Sequence, residues 1–252
     1  MKKLIASAGL AAIATTLFVP ALASAEEAAS PLSFNVGVVS DYRYRGISQT
    51  RLKPALQGGA DYAFSSGFYV GTWLSTIKWI KDFGGDSNVE WDLYGGYKGT
   101  INSDFSYDVG VLRYQYQKNK LVPSANTTEL YGALTYGPAT FKYSRSTTSL
   151  FGFGVTGDSK GSGYFDLSAT FDVGGFAVTP HLGYQDVANY SDFSYTDYSL
   201  TVGKEVAPGL TLTAALVGAD TKSIGGVKAY ASPANGKDLG RSGLVLGLKY
   251  AF

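Results

Sequence analysis

A single histidine, His181, and no cysteine limit the chemistry open to this 252-residue chain. Thiolate nucleophiles, disulfides and Cys/His metal sites all require residues that are absent. A hydroxyl nucleophile needs a base within hydrogen-bond reach, and no serine is spaced as an evident partner for His181. The acids Asp82, Asp86, Asp158, Asp186, Asp192 and Asp238 lack the spacing of a calcium loop. No catalytic residue, cofactor or metal is therefore expected. The other charges follow a pattern. Asp41, Arg43 and Arg45 occupy alternate positions, Glu90 and Asp92 do the same, and Glu129, Asp166 and Asp197 stand between neighbours of opposite parity. Charge on one face of a period-two segment, with apolar groups on the other, suits a wetted wall or a set of ion pairs that fix register.

Positioning such a wall takes strands, and the chain offers twelve. They are expected at about Ser33 to Arg45, Ala55 to Phe64, Phe68 to Ser75, Val89 to Lys98, Asp104 to Tyr116 and Thr128 to Tyr136. The second six are Ala139 to Ser146, Gly163 to Val173, Phe176 to Gln185, Tyr195 to Lys204, Leu210 to Asp220 and the closing segment from Ser242. Gly174-Gly175 is a two-residue hairpin signal. In strand one Phe34, Val36, Val38, Tyr42 and Tyr44 share a face. In strand five Arg113 would fall on the apolar face, so a β-bulge near Leu112 is expected to re-aim it. Short connections follow every even strand and long ones every odd strand, which is how the two ends of a barrel differ. Outward aromatics also collect beside the short turns: Tyr62, Phe64, Phe68, Tyr97, Phe105, Tyr107, Tyr136, Phe141, Phe171, Phe176, Tyr250 and Phe252. A girdle at one depth has this form.

The fold class expected is all-β, a transmembrane antiparallel up-and-down β-barrel of about twelve strands. Met1 to Ala25 reads as a cleaved secretory signal: Lys2 and Lys3, an apolar stretch from Leu4 to Val19, then Ala23-Ser24-Ala25. Residues 26–252 form a single barrel domain with both termini on the periplasmic side of a Gram-negative outer membrane. Removing Lys2 and Lys3 takes the net charge from +1 to −1, which argues against a nucleic-acid partner. The expected partners are membrane lipid, small solutes or ions, and the barrel-assembly machinery. That machinery would read the closing strand, whose Leu244, Leu246, Leu248, Tyr250 and Phe252 lie on one face.

The expected lining has two tiers. Asp41, Arg43, Arg45, Glu90, Asp92, Glu129, Asp166 and Asp197 lie towards the long-loop end, and Asp61, Lys98, Asp108, Lys142, Asp172 and Lys249 towards the short-turn end. Surplus acid in the first tier favours cations. Interior glycines (Gly37, Gly59, Gly71, Gly96, Gly110, Gly183, Gly203 and Gly247) leave room for water or serve strand curvature. Inward Tyr69, Trp73, Tyr94, Tyr114 and Tyr131 offer a stacking track or simple packing.

The stretch Asn35-Val-Gly-Val-Val-Ser-Asp-Tyr-Arg-Tyr-Arg-Gly-Ile-Ser-Gln-Thr50 resembles the opening signature of the TorF family of bacterial outer-membrane porins. Gly67 to Trp73, Glu90 to Tyr97 and Tyr107 to Gly110 are similar to later blocks of that family. The resemblance implies a porin-type channel and assigns no ligand residue. The function expected is a narrow aqueous channel for passive diffusion of ions and small solutes, with a mild cation preference. The alternatives are a non-conducting structural or adhesive barrel and, behind it, a barrel hydrolase.

Overall fold

The computed structural model describes residues 30–154 and 156–252; the signal segment expected at residues 1–25 lies outside them. Twelve antiparallel strands close into a barrel: β1 (Leu32–Val39), β2 (Ala55–Ala63), β3 (Phe68–Thr76), β4 (Val89–Thr100), β5 (Phe105–Gln115) and β6 (Thr127–Tyr136). Then come β7 (Ala139–Ser146), β8 (Gly163–Ala169, resuming as Phe171–Val173), β9 (Phe176–Asp186), β10 (Tyr195–Ala207), β11 (Leu210–Asp220) and β12 (Gly243–Ala251). Each strand pairs with its sequence neighbours, and β1 pairs with β12 from Asn35↔Ala251 to Val39↔Gly247. Closure leaves no sheet edge.

The apolar set faces outward. Leu244, Leu246, Leu248, Tyr250 and Phe252 are exposed, as are Phe34, Val36 and Val38 on the adjoining strand. So large a contiguous apolar surface marks a face built to be covered. Towards the short-turn end its rings touch in series: Phe34 on Phe252, Tyr250 on Phe252, Tyr62 on Phe64, Phe68 on Tyr97, and Phe105 on Tyr136. The turn at Gly174 and Gly175 has φ of 62° and 78°, the left-handed pair that a tight hairpin requires.

Two local expectations are corrected. Strand one ends at Val39 and does not run to Arg45; residues 40–54 leave the wall and turn inward. Tyr42, expected on the outer face, is 2% exposed, and Tyr44 packs inside against Tyr114. No bulge occurs at Leu112. The β4–β5 register runs unbroken from Trp91↔Gln115 to Thr100↔Ser106, so Leu112 points inward and Arg113 outward. The backbone has no need to re-aim Arg113, because its guanidinium bonds Thr128 Oγ1 at 2.8 Å and Gln115 Oε1 at 3.3 Å on the same face.

Candidate functional site

The site is the interior, and a miniature hairpin dominates its long-loop half. Arg43–Tyr44 pairs with Ile47–Ser48 across Arg45-Gly46. Arg45 (φ 46°) and Gly46 (φ 77°) form a left-handed pair that suits Asn-Gly better than Arg. An arginine held there marks a position chosen for its side chain. Gly46 is required as well, since a Cβ there would meet Asp197 Cβ at 2.7 Å and Gly218 O at 2.9 Å.

From the tip, Arg45 crosses the lumen. Its Nη2 donates to Glu129 Oε2 on β6 at 2.7 Å and its Nη1 to Gln185 Oε1 on β9 at 2.6 Å. Its guanidinium lies over the rings of Tyr164 and Tyr44. One side chain thus ties the inserted loop to two strands of the wall, β6 and β9. Arg43 supports the base of the hairpin. Its Nε meets Asp41 Oδ2 at 2.5 Å, and its Nη1 donates to the carbonyls of Gly46, Leu239 and Arg241. Asp41 Oδ1 accepts from Ser48 Oγ and Thr50 Oγ1. On the β4 wall, Glu90 accepts from Tyr42 Oη at 2.5 Å and Tyr116 Oη at 2.7 Å. Next to it Asp92 is 4% exposed with no hydrogen-bond partner for Oδ1.

As whole residues, the buried Asp, Glu, Lys and Arg among the described residues are Asp41, Arg43, Arg45, Glu90, Asp92, Glu129, Asp166 and Asp197. The structure brings these eight together, although the first three come from a loop inserted into the lumen and not from the wall. His181 points inward, its Nε2 3.5 Å from Asp166 Oδ2 and its Nδ1 3.7 Å from Asp197 Oδ1, with Tyr164 Oη donating to Asp197. Its ring nitrogens approach two carboxylates and the Tyr164 phenol, and its register partners on the two adjoining strands are Ser168 and Ser199.

The second tier is more open. Asp61, Lys98, Asp108, Lys142 and Lys249 are half-buried, while Asp172 sits exposed at the rim and accepts the Gly175 N–H. Lys98 and Asp108 stand 3.9 Å apart. Tyr94 Oη donates to Asp61 and Tyr69 Oη to Asp108, each at 2.6 Å, and Lys142 lies over the Tyr131 ring.

At four interior glycines the space is taken by tyrosines from other strands, as close packing would have it. Gly71 faces the Tyr94 ring, Gly96 the Tyr69 hydroxyl, Gly110 the Tyr131 hydroxyl and Gly183 the Tyr164 hydroxyl. Three of these are direct cross-strand pairs: Gly71↔Tyr94, Tyr69↔Gly96 and Gly110↔Tyr131. A tyrosine laid over a facing glycine keeps the wall thin while presenting a hydroxyl to the lumen. Of the aromatics expected as a stacking track, Trp73, Tyr69, Tyr114 and Tyr131 are buried in a cluster with Tyr42 and Tyr116. Trp73 and Tyr114 pack against Tyr42 and Tyr44 of the inserted loop, while Tyr69 and Tyr131 are hydrogen-bonded to each other beside the second tier.

The sequence reading missed this insertion. Its signal was Tyr44-Arg45-Gly46-Ile47, a turn-compatible Gly inside what looked like strand continuation.

The family model described as "Bacterial protein of unknown function (Gcw_chp)" matches residues 25–252, and the chain belongs to that family. No curated protein matches it. Among solved structures the barrel is similar to the KdgM porin, with a TM-score of 0.55 at 9% identity over 88% of this chain and 98% of that one. KdgM porin in complex with disordered oligogalacturonate gives the same values. The NanC porin in a rhombohedral crystal form has a TM-score of 0.53 at 11% identity, again over 88% of this chain and 98% of that one. At such identities the likeness is one of fold.

Proposed function

We propose that this chain is an outer-membrane porin, a narrow aqueous channel for passive diffusion of ions and small solutes with a mild cation preference. The observation that carries the reading is the inversion of the barrel: leucine, valine and phenylalanine outside, with carboxylates, arginines and tyrosine hydroxyls inside. A hydrocarbon surround covers that apolar wall, which water would leave exposed at a cost, and a closed barrel presents no unsatisfied backbone to it. The similarity to the KdgM and NanC porins and the resemblance of Ser40 to Thr50 to TorF porins support it. In this reading residues 1–25 are removed on export and the termini lie in the periplasm. The long loops face outward from the cell, and β12 is the strand presented to the assembly machinery.

The hairpin 43–48 is the constriction. Six buried carboxylates face two guanidinium groups in that half, so passing solutes meet a surplus of negative charge. The KdgM porin is seen in complex with oligogalacturonate; an acidic wall of the kind found here would repel such a polyanion and admit cations and small neutral solutes.

Reconstitution in a planar bilayer tests the reading. Stepwise current and a reversal potential on the cation side are expected, with the preference weakened in Glu90→Gln/Asp92→Asn. Absence of current from inserted protein would instead favour the non-conducting barrel, for which the inward hairpin is the supporting observation.

A further inference from the structure

The outward face carries one feature that a channel does not need. At the long-loop end its apolar band is interrupted by Arg113 on β5 and Arg145 on β7, on either side of β6. Arg113 pairs in register with Thr128 and Arg145 with Leu130. Two strands further round, across Gly163 from Arg145, the residue of the same parity on β9 is Asp186, and on β11 it is Asp220. The rim is therefore polarised, basic along β5–β7 and acidic along β9–β11. Arg145 is exposed, and its side chain makes no hydrogen bond or ion pair among the described residues.

A cleft of about 470 Å³ opens beside it, lined by Leu130, Arg145, Thr147, Asp158, Lys160 and Asn189 among others. The carboxylate in the cleft, Asp158, is held by its own loop. Asp158 Oδ1 accepts from the Lys160 N–H at 2.8 Å and from Ser149 Oγ at 3.0 Å, and both bonds, the first foremost, hold it below the usual carboxylate range. The Tyr143 hydroxyl leans across Gly163, the register partner of Arg145.

Below the cations the surface turns greasy. Leu130 is 55% exposed, and two residues on, Gly132 leaves a shallow trough where a Cβ would meet nothing nearer than Val109 Cγ1 at 3.9 Å. Unpaired guanidinium above an apolar trough matches a molecule with an anionic head and a hydrocarbon tail.

Resting on the membrane-barrel reading, we propose that this cleft binds a phosphorylated lipid of the leaflet at the long-loop end. Its phosphate engages Arg145 and Lys160 in the cleft, Arg113 adds a second guanidinium across β6, and an acyl chain lies along Leu130 and Gly132. Bidentate guanidinium–phosphate contact suits Arg better than Lys, so the two arginines dominate.

The test titrates detergent-purified barrel with lipid A, dephosphorylated lipid A and inorganic pyrophosphate, read by native mass spectrometry and by thermal stabilisation. Saturable binding of lipid A alone is expected, at least tenfold weaker in Arg113→Gln/Arg145→Gln and unchanged in Lys204→Gln, an outward cation at the other end. Should the double variant fail to fold, Arg145→Gln alone serves, since that side chain has no protein partner to lose. Equal binding by the variants overturns the proposal. So does equal affinity for pyrophosphate, which would make the site one for a soluble anion. A barrel that inserts and conducts but ignores lipid A sinks this inference and leaves the channel standing; one that never inserts sinks the channel reading first.

Discussion

The two halves of the interior use the same residue types to opposite ends. In the long-loop half, Arg45 and Glu129 are each about 2% exposed and meet at 2.7 Å; in the short-turn half, Lys98 and Asp108 are 31% and 18% exposed and stand 3.9 Å apart. The first pair is locked because a loop carries one partner across the lumen and excludes water from both. The second pair lies on neighbouring strands, Lys98↔Asp108, over open space. Charge identity does not distinguish constriction from vestibule. Whether a segment enters the lumen does.

Arg45→Ala should break that contrast most severely. It leaves the Gln185 side-chain carbonyl buried without its donor and Glu129 with only the 3.4 Å bond from Tyr114 Oη, and it removes the strut across the hairpin. Uncompensated buried charge of this kind costs about 3–5 kcal/mol. Urea unfolding of the barrel in lipid vesicles should show this loss, and single-channel conductance should rise as the tip disengages. A variant with wild-type conductance and midpoint would mean that the hairpin constricts nothing. Gly46→Ala probes the same element through the backbone. An alanine at φ 77° meeting Asp197 and Gly218 should cost more than about 1 kcal/mol and shift conductance in the same direction.

Tyr42→Phe is a smaller step. It removes one of two phenolic donors to Glu90 and leaves the ring against Trp73. Losing a hydrogen bond to a charged group costs about 1.5–3 kcal/mol, and Tyr116 keeps the carboxylate from being orphaned, which places the expected loss at the low end. Tyr116→Phe should match it. If the double variant lost no more than either single one, Glu90 would have found another donor.

What was legible in the sequence followed from period two. Alternation gave the strands, their outward faces and the aromatic belt, because a wall wet on one side and greasy on the other leaves no other parity. It also collected the eight charges that end up buried, including Asp41, Arg43 and Arg45, for which the parity argument led to the lumen by the wrong route. Their alternation comes from a two-residue ladder inside a loop, which has the same period as a transmembrane strand. Arg113 shows the converse failure. Parity alone placed it correctly on the outside, and the expectation that lipid forbids arginine overrode it, although the end of a strand lies at the polar boundary where guanidinium groups snorkel. Interior glycines were ambiguous because nothing local to Gly71 or Gly110 says that a tyrosine on the next strand fills the gap.

The mildest expected change tests the open half. Lys98→Met removes a lumen cation whose carboxylate partner stands 3.9 Å away in a half-exposed setting. A pair of that geometry contributes at most about 1 kcal/mol, and the methionine retains most of the stem that lies against the Tyr69 ring. The unfolding midpoint should therefore barely move. Selectivity should respond, because one positive charge leaves a wall that keeps Asp61 and Asp108, and the reversal potential should shift further towards cations. Low salt should enlarge that shift and high salt erase it, since charge facing open water is screened over about a Debye length. If Lys98→Met instead destabilised the barrel as much as Arg45→Ala, the vestibule would be knit as tightly as the constriction, and the distinction between the halves would rest on geometry alone.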